Sequence, residues 1–252
     1  MLAKRLIAKL DIKSENVVKG VHMEGLKIVG VPGQMSARYN EQRVDELVYI
    51  DTVASLYGRN HLRDVIRDVT EACHIPVTVG GGIRNLEATR ELIMGGADKV
   101  AINTYAHQNP SFLTEAAKEF GSQAVVLSVH AKKIGDQYMC FSENGREYTG
   151  RSVVDWVKQG YSQGAGEILL TSIDNDGTGK GFDIPLIQMV ADAVPIPVVA
   201  SGGAKGPQDL EQLFKETASS GACMASALHH QWTTLPEVRS FLHEAGVPVR
   251  KV

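Results

Sequence analysis

The chain carries one short sequence twice, half a chain apart. Residues 75–82 read IPVTVGGG, and residues 196–203, which lie 121 positions later, read IPVVASGG. The same offset places residues 45–48 on residues 166–169. Two halves that each combine a strand, a helix and a second strand with glycines after the strand are typical of a closed parallel barrel. The repeat therefore predicts an α/β fold, a (βα)8 barrel with twofold internal symmetry.

Length and composition agree with one barrel. Eight βα units need about 250 residues, and the chain has 252. We therefore predict a single domain over residues 1–252, with half-barrels at about 1–120 and 121–252. The 43% of hydrophobic and 22% of charged residues are ordinary for a globular enzyme, and a net charge of −3 gives no reason to expect nucleic acid.

The cysteines and the apolar runs indicate the cellular compartment of the protein and whether it enters a membrane. Cys73, Cys140 and Cys223 lie far apart and form no zinc-ligand or disulfide pattern. The sequence contains neither a signal-peptide core nor a run of about 18 apolar residues. We therefore expect a cytoplasmic protein that enters no membrane and needs no metal or other cofactor.

Short apolar runs alternate with amphipathic stretches along the chain. The apolar runs predict eight strands, at residues 5–11, 47–51, 76–80, 99–102, 124–129, 168–172, 197–201 and 222–225. Helical spacing of apolar residues predicts helices at 60–73, 86–94, 111–120, 151–163 and 208–214. Residues 13–34 and 131–150 are interpreted as long strand-to-helix loops, the second with a small hairpin.

Glycine pairs follow two of these strands at equivalent places in the two halves. Each pair is accompanied by a hydroxyl-bearing residue after the next strand. One glycine pair would be weak support, because glycine also serves tight turns, but the repetition favours phosphate binding by bare backbone N–H groups. Two such sites on one rim predict a substrate with a phosphate at each end. The expected contacts are Gly81, Gly82, Asn103, Thr104, Asp176, Gly177, Gly202, Gly203, Ala225 and Ser226.

Four charged residues stand at, or just before, the starts of predicted strands: Arg5, Glu46, Lys99 and Glu167. Strand starts share one end of a parallel barrel, so two cations and two anions could form a ring across the barrel floor. The alternative is four ordinary surface charges. A ring of partly solvated ion pairs would exclude water and still open, because such pairs contribute little net free energy.

Asp11 and His130 are expected at the opposite end of the barrel, its mouth. These residues end the first strand of each half, where a carboxylate and an imidazole can act as general acid and base. Lys9 lies one step below Asp11 on the same strand face, and its ammonium is expected to pair with Asp11 or Glu167. Lys19, in the first long loop, could contact a substrate phosphate or remain a solvated lysine.

Eight blocks of sequence carry a family resemblance over essentially the whole chain. They are Ala3–Arg5, Leu10–Asp11, Val18–Gly20, Val79–Ile83, Gly96–Val100, Gly121–Val126, Gly164–Asp174 and Ala200–Ala204. In order and spacing they resemble the cyclase-subunit family of imidazole glycerol phosphate synthase. The resemblance implies a barrel whose floor docks a glutaminase subunit in a heterodimer. It also implies that Arg5, Glu46, Lys99 and Glu167 form a gate through which ammonia passes to the mouth.

The resemblance further implies a reaction, although the chain departs from the family at several sites. In the family, ammonia converts the bisphosphorylated formimino-aminoimidazole-carboxamide ribonucleotide to imidazole glycerol phosphate and aminoimidazole carboxamide ribotide. Position 130, an aspartate in the family, is His130 here, and position 9, typically cysteine, is Lys9. In the first loop, Ile28 and Val31 replace polar residues.

These departures leave three hypotheses open. The first is the family activity, with Asp11 and His130 sharing the proton transfers. The second is a paralogue that delivers ammonia, with altered chemistry, for the synthesis of amidino or amino sugars. The third is a non-catalytic barrel that only docks and activates a glutaminase.

Overall fold

The computed structural model describes residues 2–54 and 74–251. Within these ranges there are twelve strands, named in chain order: β1 (Arg5–Lys13), β2 (Asn16–Val21), β3 (Glu24–Gly30), β4 (Glu46–Asp51), β5 (Val77–Gly80), β6 (Lys99–Ile102), β7 (Val125–Ile134), β8 (Gln137–Ser142), β9 (Glu147–Ser152), β10 (Glu167–Ser172), β11 (Val198–Ser201) and β12 (Gly221–Met224).

Eight of these strands close into a parallel barrel. Their order around the barrel is β1, β4, β5, β6, β7, β10, β11 and β12, and β12 pairs in parallel with β1. The predicted (βα)8 fold is therefore confirmed. All eight strand predictions agree with the structure to within a few residues; the largest difference is at β7, which continues to Ile134.

The other four strands form two antiparallel hairpins at the mouth. Strands β2 and β3 extend β1, and β8 and β9 extend β7. The hairpin predicted within residues 131–150 is confirmed. The interpretation of residues 13–34 as a loop is wrong, because β2, β3 and the first turn of a helix occupy that segment.

The helices of the described ranges lie mostly outside the barrel. They are α1 (Pro32–Glu41), α2 (Leu86–Met94), α3 (Thr104–Gln108), α4 (Ser111–Phe120), α5 (Val153–Ser162), α6 (Ile184–Ala193), α7 (Pro207–Glu216), α8 (Ser226–His229) and α9 (Leu235–Glu244). Helices α2, α4, α5 and α7 confirm four predictions. The helix predicted at 60–73, with Cys73, lies outside the described residues. Helices α1, α3, α6, α8 and α9 were not predicted, and none of the nine is long and apolar enough to cross a membrane.

The interior of the barrel is built in layers. Alternate residues of each strand point inward, and the strand register places Ile7, Glu46, Thr78 and Lys99 on that inner face. Above the charged residues at the strand starts lies an apolar layer of seven buried residues: Ile7, Val48, Ala101, Val126, Leu169, Val199 and Cys223. A separate, larger core fills the space between the strands and the helices. The layers position charge at the floor and at the mouth, with apolar packing between them.

Candidate active site

The four predicted floor residues meet in one closed ring of ion pairs, the floor ring. Arg5 donates to Glu46 (Nη1–Oε1, 2.8 Å) and to Glu167. Lys99 completes the ring, with its Nζ 2.7 Å from Glu167 Oε2 and 3.3 Å from Glu46 Oε2. Burial opposes the charge of Arg5, but Glu167 and Glu46 raise the pKa of its guanidinium above the usual value. Each charge therefore has two partners of opposite sign.

A small cavity, the lower chamber, lies directly above the floor ring. Its lining combines apolar side chains with the upper sides of the two glutamates: Ile7, Glu46, Val48, Thr78, Val126, Glu167, Leu169 and Val199. The floor ring thus separates the solvent below from a mainly apolar space inside the barrel. A small neutral molecule fits such a space better than an ion, because a charge loses hydration there.

At the mouth, four buried charges form a linear array, the mouth chain. Lys9 Nζ lies 3.1 Å from Asp11 Oδ1, and Lys19 Nζ lies 3.4 Å from Asp11 Oδ2. Lys19 Nζ also donates to both carboxylate oxygens of Asp176 at 2.8 Å. Burial alone would raise the pKa of Asp11, but the Lys9 and Lys19 ammonium groups lower it to about 2. Asp11 is therefore a carboxylate at neutral pH.

His130 ends the inward-facing part of β7 and is almost fully buried. Burial, reinforced by the Lys9 charge, lowers the pKa of His130 to about 3, so the ring is neutral at physiological pH. No described residue provides a hydrogen-bond partner for its Nδ1, nor for the hydroxyl of Thr171, its register neighbour on β10. These atoms have the capacity to bind a ligand or water.

The ten predicted phosphate contacts line two pockets at the mouth. The first rim pocket includes Gly81, Gly82, Asn103 and Thr104, and it also reaches His130. The second rim pocket includes Asp176, Gly177, Gly202, Gly203, Ala225 and Ser226, together with Lys19 and Ser201. Both pockets follow the carboxyl ends of barrel strands and therefore lie on the same rim. The Asp176 carboxylate is occupied by Lys19, so its side chain orients that ammonium.

Two of the rim glycines are required by their backbone. Gly203 has φ = 105°, and a Cβ there would lie 1.9 Å from the carbonyl oxygen of Gly181. Gly81 has φ = 113°, and its Cβ would lie 2.5 Å from the carbonyl oxygen of Asp51. Positive φ and close backbone approach both exclude larger residues. The turns consequently present bare peptide groups to the pockets.

One buried group near the mouth was missed by the sequence reasoning. Arg38 Nη2 donates to the Tyr39 hydroxyl (3.0 Å), which contacts His229 Nδ1 at 2.6 Å. The phenol oxygen accepts from Arg38, and the donor in its contact with His229 Nδ1 depends on the tautomer of the imidazole, because a phenol can both donate and accept. Tyr39 and His229 are 190 residues apart. Sequence offers no local signal for such a contact.

Two buried histidines, His130 and His229, and the half-buried His107 make stability depend on pH. Burial lowers the pKa of His130 and His229 to about 3 and that of His107 to about 4. A depressed pKa contributes stability that is present above the unfolded value of about 6.5 and is lost as the pH falls. Between pH 7 and pH 5 we expect the free energy of unfolding to fall by roughly 2 kcal/mol for each of the two buried histidines, and by less for His107.

Urea unfolding at a series of pH values measures this dependence. His229→Asn should reduce the slope between pH 7 and pH 5, whereas His243→Asn, at an exposed position of α9, should leave it unchanged. Equal slopes in all three proteins would contradict the assignment of neutral, buried histidines.

The geometry defines a class of protein. A (βα)8 barrel carries its active site at the carboxyl ends of its strands. Here that end combines two small pockets with an ionised carboxylate and a neutral imidazole, and the other end is closed by charge. This is the arrangement of a barrel enzyme whose active site lies at the mouth.

Comparison with known proteins gives the family. A family model described as "Histidine biosynthesis protein" matches residues 5–234. The chain is 54% identical over 200 residues to the imidazole glycerol phosphate synthase subunit HisF of Legionella pneumophila, which covers 79% of this chain and 94% of that protein. It is 45% identical over 250 residues to the same subunit of Thermococcus onnurineus, with 99% of both chains covered. For the subunit of Alkaliphilus metalliredigens the identity is 43% over the full length of both chains. The chain belongs to the histidine biosynthesis family, among the cyclase subunits of imidazole glycerol phosphate synthase.

Proposed function

We propose that this chain converts the bisphosphorylated formimino-aminoimidazole-carboxamide ribonucleotide, with ammonia, to imidazole glycerol phosphate and aminoimidazole carboxamide ribotide. The observation that carries the proposal is the position of two rim pockets on either side of one buried acid–base site. A substrate with a phosphate at each end would span the mouth, with its reactive centre near Asp11 and His130. The glycine turns and the Asn103, Thr104 and Ser226 side chains would hold the phosphates.

The proton transfers follow from the charge states at the mouth. Asp11 is ionised and can accept a proton, whereas neutral His130 can accept or donate a hydrogen bond through its ring nitrogens. Lys19, held by Asp176 at the second rim pocket, would contribute a positive charge to a bound phosphate.

The proposal includes a glutaminase subunit at the barrel floor and a place in the cytoplasm. The floor ring and the lower chamber support a route in which ammonia released by the partner passes between Arg5, Glu46, Lys99 and Glu167. An apolar chamber favours neutral ammonia over ammonium, and the nucleophile reaches the mouth in its reactive form.

A second candidate, ammonia delivery to an amidino- or amino-sugar acceptor, is favoured by one set of observations. The mouth contains Lys9 and His130. Ile28, in the adjoining hairpin, and Val31, which follows it, are 68% and 47% exposed. An aliphatic hairpin and an added cation would suit an acceptor other than the family nucleotide.

One assay separates these functions. Purified protein is mixed with the bisphosphorylated nucleotide and an ammonium salt, and the loss of substrate absorbance is followed. We expect turnover without any partner subunit, because free ammonium supplies the nucleophile directly. Absence of turnover, with stimulation of the glutaminase retained, would overturn the proposed reaction and leave the sugar acceptor or a purely docking barrel.

A further inference from the structure

Lys9 places a full positive charge inside the barrel. Its side chain is 3% exposed, and it follows Ile7 and precedes Asp11 on the inward face of β1. Ile7 lines the lower chamber, so the Lys9 side chain lies at the lower edge of the mouth, directly above that chamber. A buried ammonium is costly unless it is paired. Lys9 pairs with Asp11 at 3.1 Å, so the ammonium that needs a partner is paired with a carboxylate of the acid–base site.

Each oxygen of Asp11 faces its own cation. Lys19, on Oδ2, makes its shorter contacts to Asp176. Lys9, on Oδ1, makes the shorter of the two contacts to Asp11. Loss of Lys19 to a bound phosphate would thus leave Lys9 as the charge that keeps Asp11 ionised.

The groups that surround this site come from several elements. On β1 and β2 they are Lys9, Asp11 and Lys19, and Asp176 follows β10. Other titratable groups that act on Lys9, Asp11 or His130 are Cys223 on β12, His107 on α3 and His229 on α8. This space contains two ammonium groups and two carboxylates. The Lys9 charge lowers the pKa of His130, and the Asp11 charge opposes that effect with a smaller contribution.

We propose that Lys9 is a positioning residue of the acid–base site, whose buried ammonium holds Asp11 as a carboxylate and His130 as a neutral imidazole. This inference rests on the proposed function and deepens it. The two groups then have fixed roles: Asp11 accepts the proton, and His130 contributes a neutral ring nitrogen, as neutral imidazoles do in other barrel sites. The proton of Lys9 stays in place, since Asp11 raises the pKa of Lys9 against the effect of burial.

The first test reads the charge of His130 without substrate. Histidine labelled with ¹⁵N reports ring protonation by NMR, and His130→Asn assigns the signal. In the unmodified protein His130 should not titrate between pH 5 and pH 8. Because the pKa of His130 is lowered to about 3, the titration is followed down to pH 4. In Lys9→Gln we expect the midpoint to move upward by at least about one pH unit, as for removal of a nearby charge, which is measured as a larger charged fraction of His130 between pH 4 and pH 5.

Matched variants separate charge from packing. Lys9→Arg should behave as the unmodified protein, and Lys13→Gln, which removes an exposed charge from the same strand, should change nothing. If Lys9→Gln does not fold, Lys9→Met, which keeps the apolar part of the side chain, is used instead, and the same upward shift of the His130 midpoint is expected. A His130 titration that is identical with and without the Lys9 charge would overturn the proposal.

The second test is the pH profile of the ammonium-dependent reaction. Lys9→Gln should move the acid limb upward and lower kcat more than it changes KM, and Lys9→Arg should restore both. A superimposable profile would overturn the role of Lys9 in catalysis. If the unmodified protein shows no turnover, the proposed function fails, and the NMR titration still decides whether Lys9 sets the charge of His130.

Discussion

Asp11→Asn is expected to lower ammonium-dependent turnover by about 10²- to 10⁴-fold, the usual contribution of a general base. Asparagine keeps the size of the side chain, but its one carbonyl oxygen can face only one of the two ammonium groups that contact the Asp11 oxygens, and it cannot accept a proton. The measurement is the initial rate of loss of the bisphosphorylated nucleotide at saturating ammonium. KM should change less than kcat, because the substitution leaves both rim pockets intact.

The control for this prediction concerns folding. Asparagine leaves the Lys9 ammonium buried without its nearest counter-charge, and breaking a buried ion pair costs about 3–5 kcal/mol. The double variant Lys9→Met with Asp11→Asn removes both charges and should recover most of the thermal stability. If turnover also recovered in the double variant, the loss in Asp11→Asn would be structural and Asp11 would not be the base.

Glu167→Gln should uncouple glutamine hydrolysis from product formation in the complex with a glutaminase. Glu167 contacts both Arg5 and Lys99, so removal of its charge breaks two of the four contacts of the floor ring while nearly preserving its shape. We expect several glutamines to be hydrolysed for each product formed, against a ratio near one for the unmodified complex. The ratio is measured by glutamate release and product absorbance in the same reaction.

Two comparisons make the second prediction specific. The rate with an ammonium salt should stay within about twofold, because the ammonia in equilibrium with it enters the mouth from solvent and Glu167 lies at the opposite end of the barrel. Glu119→Gln breaks a surface ion pair with Arg90, which contributes little, and should leave coupling unchanged. Intact coupling in Glu167→Gln would mean that the floor ring is not the gate.

The barrel strands could be predicted because they contain short apolar runs, several of which are bounded by glycine or proline. The β2–β3 hairpin could not. Its turn residues His22 and Met23 have φ values of 53° and 62°, a conformation for which Asn-Gly is the recognisable signal. Helix α6 was missed for another reason: Ile184–Ala193 is apolar on most of its faces, so helical periodicity is weak.

Repetition and charge gave most of the candidate site. The glycine pairs recur at an offset of 121 residues, and so do Glu46 and Glu167. The alternating charges at the strand starts predict a ring of ion pairs. The division of the chain into half-barrels at residue 120 stays a prediction. Contacts such as Tyr39 with His229, and the sharing of Lys19 between two carboxylates, depend on the closure of the barrel, which no local pattern encodes.

The mouth chain couples phosphate binding at the second rim pocket to the basicity of Asp11. Lys19 lines the second rim pocket and at the same time neutralises Asp11. A phosphate dianion that draws the Lys19 ammonium away from Asp11 would remove one of the two positive charges beside this carboxylate. The pKa of Asp11 would then rise when the phosphate binds. The binding energy of the phosphate in the second rim pocket would therefore increase kcat. A ligand that lacks this phosphate would react slowly even at saturating concentration.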